Sequence, residues 1–331
     1  MSEDTTELSY WMNWKFFSCA AIVLASMIAG VVLLLKFEGP RRRSGSERRD
    51  DRQQVGAGVC YKGEAWMTCL RAIHPAWLLG FRVIGFVVLF SLITVNLVVD
   101  GWGIMYYYTQ WTFTLVTIYS ALGCAFSIYG LCTSHGTFCS AQTINGEQGN
   151  YMAVNEEHVG ISSSTKSIST QGYGEPHQCE TAGLWGYLFQ IAFQVCGGAV
   201  ILTDTMFWFV IFPFLMDADY KLDFINGCMH SVNAVFILGD MLLNGMRFPM
   251  FRIGYFAIWT SVYVVFQWIV HACINMWWPY PFLDLKIPYS PLWYLGVAIL
   301  HVPCYGFFAL IVKLKNFLLS RSFPESYQGF W

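Results

Sequence analysis

The stretch Asn226–Asn244, NGCMHSVNAVFILGDMLLN, decides how the rest of the chain is read. It is long and apolar enough to cross a membrane, yet Asn226, His230, Asn233, Asp240 and Asn244 interrupt it. At about 100° per residue these five positions fall on one side of a helix, within roughly 80°, with apolar residues elsewhere. Polar groups on a helix in lipid are costly unless they face a cavity or a partner, which makes the stripe a candidate functional site. Hydrogen bonding between helices of a bundle is the structural alternative.

The composition supports a membrane setting. Of 331 residues, 56% are hydrophobic and 18% aromatic, and only 12% are charged. That charged share is about half the level of soluble domains. The formal net charge of -2 decides little, and no nucleic-acid partner is expected. The 11 cysteines form no CxxC pair and no Cys/His metal spacing, so neither a metal site, a cofactor nor a disulfide framework is expected. Cys132 and Cys139 stand beside a membrane boundary, where palmitoylation is chemically feasible. The acidic start MSEDTTELSYWMNW lacks the basic opening of a cleavable signal, so the first apolar run reads as a retained span.

Seven segments are long enough to cross roughly 30 Å of hydrocarbon. They are Phe17–Leu35, Leu79–Val99, Tyr106–Cys132, Leu184–Met216, Asn226–Asn244, Phe251–Trp277 and Pro291–Leu314. The fourth is over-long and must tilt or extend, with Gly197-Gly198 as a place where it can break. The fold class is therefore an all-α multi-pass bundle, a six-span core with an N-terminal span appended. The first connection carries Lys36, Arg41, Arg42, Arg43, Arg48, Arg49, Arg52, Lys62 and Arg71, with Arg82 opening the second span. The positive-inside rule places that connection in the cytoplasm, and the N-terminus outside. Arg247 and Arg252, and then Lys313, Lys315 and Arg321, fall on the same inner side. The implied division is residues 1–78 (N-terminal span and basic loop), 79–320 (the bundle) and 321–331 (a cytoplasmic tail). A polar segment at 135–183, rich in Ser, Gly, Thr and Gln, interrupts the bundle and has the composition of disorder. Arg41, Arg42, Arg43, Arg48 and Arg49 have the charge to touch anionic lipid, besides acting as a topology signal. Neither the endoplasmic reticulum nor the plasma membrane is singled out, since no KDEL-type signal is present.

Counting about 1.5 Å per residue from each outer end groups the polar residues by depth. Thr109, His230 and His271 lie one or two turns below the outer face, and Asp204, Asp240 and His301 lie roughly 15 to 20 Å in. A hydroxyl beside an imidazole is the minimum apparatus for acyl transfer, since the ring takes the proton as oxygen attacks a carbonyl. Thr112, Thr114 and Thr117 compete with Thr109 for the nucleophile position. Asp240 stands ten residues after His230, about 15 Å along one helix, and is too far to orient it. The deep set reads as a buried lock pairing Asp204 or Asp240 with His301. His271, Asn226 and Asn233 are supporting or pocket residues.

Asn226-Gly-Cys-Met-His230-Ser resembles the Asn-His-x-x-His-Thr segment of the androgen-induced membrane hydrolases, with Asp240 at the position of that family's acidic residue. WIVHACINMWWPYPFLD, which contains His271, resembles the family's Trp-x-x-His…Met-Trp-x-Tyr-Pro-Phe block. YYYTQWTFTLVTIYSALG resembles its early threonine segment, and its Tyr-x-Thr-x-Trp form is similar to the related rolling stone group. The resemblance covers about Trp102 to Arg321. It implies an integral membrane threonine hydrolase of lipid esters, acting on fatty acid esters of hydroxy fatty acids, with Thr109 as nucleophile and His230 as base. The alternative, from the rolling-stone-like branch, is a non-enzymatic protein of membrane organisation or fusion. Gly227 replaces the family's first histidine, and the N-terminal span is an addition. A seven-span receptor is disfavoured, since no Asp-Arg-Tyr follows the third span and no Asn-Pro-x-x-Tyr lies in the last.

Overall fold

A computed structural model of the chain describes residues 4–38, 60–133, 181–216 and 222–328. Arg41, Arg42, Arg43, Arg48, Arg49, Cys139 and nearly all of the polar segment at 135–183 lie outside them. The described residues form helices and turns, with three isolated antiparallel bridges and no strand among them. A short α1 (Leu8–Trp11) precedes α2 (Trp14–Glu38), α3 (Pro75–Asp100) and α4 (Tyr108–Thr133). After the polar segment come α5 (Leu184–Met206), α6 (Phe224–Met229), α7 (Val232–Leu243), α8 (Ile253–Cys273) and α9 (Ser290–Ser322).

Six helices have the length and apolarity to cross a membrane: α2, α3, α4, α5 with its continuation to Leu215, α8 with its leading turn, and α9. The protein is thus an all-α, multi-pass membrane protein. Local chemistry marks the helix ends. Pro75 occupies the first turn of α3, and the His74 ring accepts the Ala76 N–H at 3.2 Å. Gly101, at φ 72°, closes the same helix in a conformation that favours glycine.

The long helices alternate in direction from α2 to α5 and again from α8 to α9, with α6 and α7 making the return between α5 and α8, so their ends collect into two layers. At one end the Thr5 hydroxyl donates to the His271 carbonyl, Tyr10 donates to Asp284, and the Lys15 ammonium donates to the carbonyls of Lys286 and Ile287. Tyr263 and Gln267 of α8 both donate to the Tyr106 carbonyl in the α3–α4 link. At the opposite end Glu64 pairs with Arg247, and Arg252 pairs with Glu38 and Gln190. The segment from Cys60 to His74 lies across that end, bonded to Ala182, Leu243, Ser326 and Gln328.

Helix α5 is central. In its most apolar window 56% of residues are buried, against 17% in α2, which presents Leu24, Ile28, Val32 and Leu35 outward. Its glycine pair does not break it. A Cβ at Gly197 would lie 2.8 Å from the Phe308 ring, and one at Gly198 would lie 2.7 Å from Phe256, so the two glycines seat aromatic rings. The departure from α-helix comes later, where Phe207–Leu215 winds with π-type turns around Pro213. Proline has no N–H to give to the preceding turn, and the wider winding accommodates it. The N-terminal span is packed in place. Gly30 of α2 meets Gly254 of α8 so closely that a Cβ on Gly254 would lie 2.6 Å from the Gly30 oxygen.

The fifth expected span departs from a single helix. It forms as α6 and α7, interrupted at His230 and Ser231. The carbonyl freed at the break is not left bare, because the Trp208 indole donates to the His230 oxygen at 2.9 Å. Breaking the helix rotates its two halves relative to each other, and the polar stripe is divided between different partners.

Arg82 also differs from its role as a topology charge. It is 2% exposed, and its Nε donates to Asp240 Oδ1 at 2.6 Å. Its other nitrogens reach Asp240 Oδ2, the Ala65 and Gly123 carbonyls and the Ser127 hydroxyl. Tyr119 and the Asn244 amide complete the carboxylate's shell. Lys315 is likewise buried, donating to the carbonyls of Met241 and Asn244.

Candidate functional site

At the end of the bundle that holds Thr5 and Tyr10, a cavity of about 590 Å³ opens among the α3–α4 link, the π-wound end of α5, α6 and the loop after α8. Thr109, Gln110, Asn226, His230 and Tyr280 all line it. Each arrives by a different route. Thr109 and Gln110 sit in the first turn of α4, whose start is set by the short turn Trp102–Tyr106. Asn226 lies in α6, which Asp223 caps by accepting the Asn226 N–H at 2.6 Å. His230 stands at the helix break, its ring stacked on Phe207 with centroids 3.7 Å apart.

Two buried polar atoms at this cavity have no hydrogen-bond partner among the described residues, His230 Nδ1 and Gln110 Oε1. Leaving such groups unpaired costs roughly 1 to 3 kcal/mol each. The nearest charge to the ring is Asp204, whose Oδ1 lies 3.9 Å from His230 Nδ1. Asp204 is itself held by the Asn233 amide at 3.4 Å. Thr109 and His230 face the same cavity without hydrogen bonding to each other.

Tyr280 touches Thr109 twice. Its hydroxyl accepts the Thr109 N–H at 3.4 Å and lies 3.3 Å from Thr109 Oγ1. The phenol stands in the loop between α8 and α9, where desolvation pushes its pKa up to about 12. At neutral pH it is therefore an uncharged donor, and once it has accepted the Thr109 N–H its own proton remains available. The aromatic block containing Tyr280 was visible in the sequence, but no periodicity brings a loop phenol to a threonine 171 residues away.

The remaining residues singled out by sequence lie elsewhere. His271 is fully buried behind the cavity and stacked on Trp278 with centroids 3.7 Å apart. Its Nδ1 meets the Gln267 carbonyl at 2.8 Å and its Nε2 meets Trp277 O at 3.4 Å, which makes it a tie between α8 and the following loop. Thr112, Thr114 and Thr117 do not line the cavity. The hydroxyl of Tyr108, the neighbour of Thr109, is bonded to Thr260 at 2.7 Å.

The expected lock of Asp204 or Asp240 with His301 does not form. Asp204 serves Asn233 and flanks His230, Asp240 is paired with Arg82, and His301 bonds Thr260 at 2.8 Å and the Val297 carbonyl. The reason is the helix break and a competing cation. Asn233, beyond the break, reaches Asp204, while Arg82 meets Asp240 with a permanent charge and two donors. Among the described residues no group of His, Cys, Asp and Glu is placed to hold a metal ion.

Comparison of the chain with protein-family models, with curated proteins and with solved structures finds no match.

Proposed function

We propose that this multi-pass membrane protein hydrolyses esters of long-chain lipids, with Thr109 as nucleophile and His230 as general base. What supports it is one observation: Thr109 and His230 line one cavity, and His230 has a ring nitrogen with no hydrogen-bond partner among the described residues. The resemblance of the segments around Thr109, His230 and His271 to the androgen-induced hydrolases points to the same residues.

The chemistry balances with the side chains present and one substrate water. His230 takes the Thr109 proton, through a bridging water or a closing movement, as Oγ1 bonds the ester carbonyl carbon. The Tyr280 hydroxyl donates to the oxygen on which negative charge develops. The C–O bond to the alcohol breaks and His230 returns the proton to it. Water then attacks the acyl-threonine, with His230 again as base, and releases the acid. Asp204, 3.9 Å from the ring, favours the imidazolium that forms at each step and is assigned a positioning role.

The test is turnover of a long-chain fluorogenic ester by the purified full chain in detergent, with covalent labelling by a fluorophosphonate. Thr109→Ala and His230→Ala are each expected to lower turnover by at least about a hundredfold and to abolish labelling, while Thr112→Ala keeps both. Turnover that survives Thr109→Ala and His230→Ala would refute the assignment. A folded protein that neither turns over esters nor labels would leave the membrane-organising alternative.

A further inference from the structure

The cavity of about 590 Å³ is in the size range of small-molecule sites, and the charge of its wall is one-sided. Two carboxylates line it, Asp100 at the end of α3 and Asp223 before α6, and no lysine or arginine does so among the described residues. The Asp100 side chain makes neither a hydrogen bond nor an ion pair among those residues. The Asp223 carboxylate accepts only the Asn226 N–H. A buried amide opens on the same space. Asn96 is 5% exposed and makes no side-chain hydrogen bond among the described residues, yet its amide is not sealed in protein and borders the cavity.

Aromatic rings make up another part of the wall. Tyr107 stands between two of them, its centroid 5.6 Å from Trp277 at 41° and 5.7 Å from Tyr280 at 83°. All three line the cavity, and Trp277, 54% exposed, stands at its mouth. Rings set at such different angles form a corner and not a flat stack.

This wall selects by charge. An anion meets two carboxylates and no basic residue, and an ester of a hydroxy fatty acid keeps a free carboxylate of that kind. A neutral molecule gains nothing from the acidic pair. A cation gains twice, from Coulomb attraction focused between low-dielectric walls and from the ring quadrupoles. Among the described residues no cluster of ligating side chains is placed to hold a metal ion. A quaternary ammonium needs no such cluster, because its charge is spread over methyl groups that rest on aromatic faces.

We propose that this cavity binds an organic cation of the quaternary ammonium class, such as a choline group. The cation rests on the corner of Tyr107, Trp277 and Tyr280, with Asp100 and Asp223 as its counter-charges and the Asn96 amide oxygen as a further acceptor. The site rests on the cavity wall and not on the hydrolase reading. Joined to that reading, it narrows the substrates. The Tyr280 hydroxyl lies 3.3 Å from Thr109 Oγ1 while its ring belongs to the corner, so the ester is one whose ammonium group stands a few bonds from the carbonyl.

The experiment is saturation-transfer NMR on the full chain in dodecyl maltoside, with choline and its uncharged carbon isostere, dimethylbutanol, as probes. Choline is expected to bind at least about tenfold more tightly than the isostere and to be displaced by tetramethylammonium. Asp100→Asn and Trp277→Leu, both at exposed positions, are each expected to weaken choline at least about threefold while the unfolding midpoint stays unchanged. Displacement of choline by phosphatidylcholine added to the micelles, and not by phosphatidylglycerol, would identify a lipid headgroup as the source of the cation. Displacement by neither would identify a free cation. Equal binding of choline and its isostere, or unchanged choline affinity in both variants, would overturn the cation site. Selective choline binding in a protein without ester turnover would keep the site and remove the hydrolase, and turnover without selective choline binding would do the reverse.

Discussion

Replacing Arg82 with methionine should be among the most destabilising single changes in the bundle. The guanidinium makes five hydrogen bonds, two to Asp240, two to backbone carbonyls and one to Ser127. Methionine approximates its stem but answers none of them. Asp240 would keep only Tyr119 and Asn244, both neutral, as donors to a carboxylate that is 3% exposed. Orphaning one member of a buried pair typically costs about 3 to 5 kcal/mol, and the carbonyls of Ala65 and Gly123 add to it. Asp240→Asn should cost a similar amount by leaving the arginine without a counter-charge. Replacing both, Arg82→Met with Asp240→Leu, removes the charges together, and should be more stable than the sum of the single losses by at least about 2 kcal/mol. Reversible unfolding in mixed detergent micelles, followed by tryptophan fluorescence, measures all three. A cost below about 1 kcal/mol for Arg82→Met, or strict additivity in the double variant, would refute the view that this pair locks α3 to α7.

Three other outcomes follow from particular contacts. Gly254→Leu drives a side chain against the Gly30 carbonyl, only 2.6 Å from a Cβ, and should separate α2 from α8 at a cost of about 1 to 3 kcal/mol; an unchanged unfolding midpoint would contradict that packing. The Tyr280 phenol is neutral in folded and unfolded chains below about pH 10, but between about pH 10 and 12 only the folded chain keeps its proton, so rising pH favours unfolding there. Tyr280→Phe should flatten alkaline unfolding over that interval, and an identical pH profile would show that the hydroxyl is not desolvated. Cys273 and Cys132 are exposed at opposite ends of the bundle, so an impermeant maleimide applied to intact cells should reach Cys273 and spare Cys132 if the N-terminus is outside. Labelling of Cys132 alone would reverse the orientation inferred from charge.

Much of this architecture is written in composition at short range. Six long apolar runs become six long helices because twenty or so apolar residues have few other ways to satisfy their backbone in lipid. The break at His230 was hidden because Asn226 to Asn244 holds no proline and keeps a helical spacing throughout. What stabilises the break is Trp208, from another helix, whose indole bonds the freed carbonyl. Asp204 was read as deep because depth was counted from the end of an over-long segment, whereas the π-wound turns after Met206 change that count. Arg82 looked like a topology signal because position at the end of a span carries no information about a partner 158 residues away. The grouping of Thr109 with His230 at similar depth could be counted from helix ends. The Tyr280 contact and the unpaired Gln110 oxygen depend on tertiary packing and could not.

The docking of α2 also bears on how the chain is assembled. Its partners, Gly254, Arg252 and the carbonyls of Lys286 and Ile287, are all synthesised more than two hundred residues after it. Gly30 and the Glu38 carboxylate therefore stay unclaimed until α8, the fifth long helix, emerges. Until then the chain carries an empty seat beside α2, which only α8 and α9 can fill.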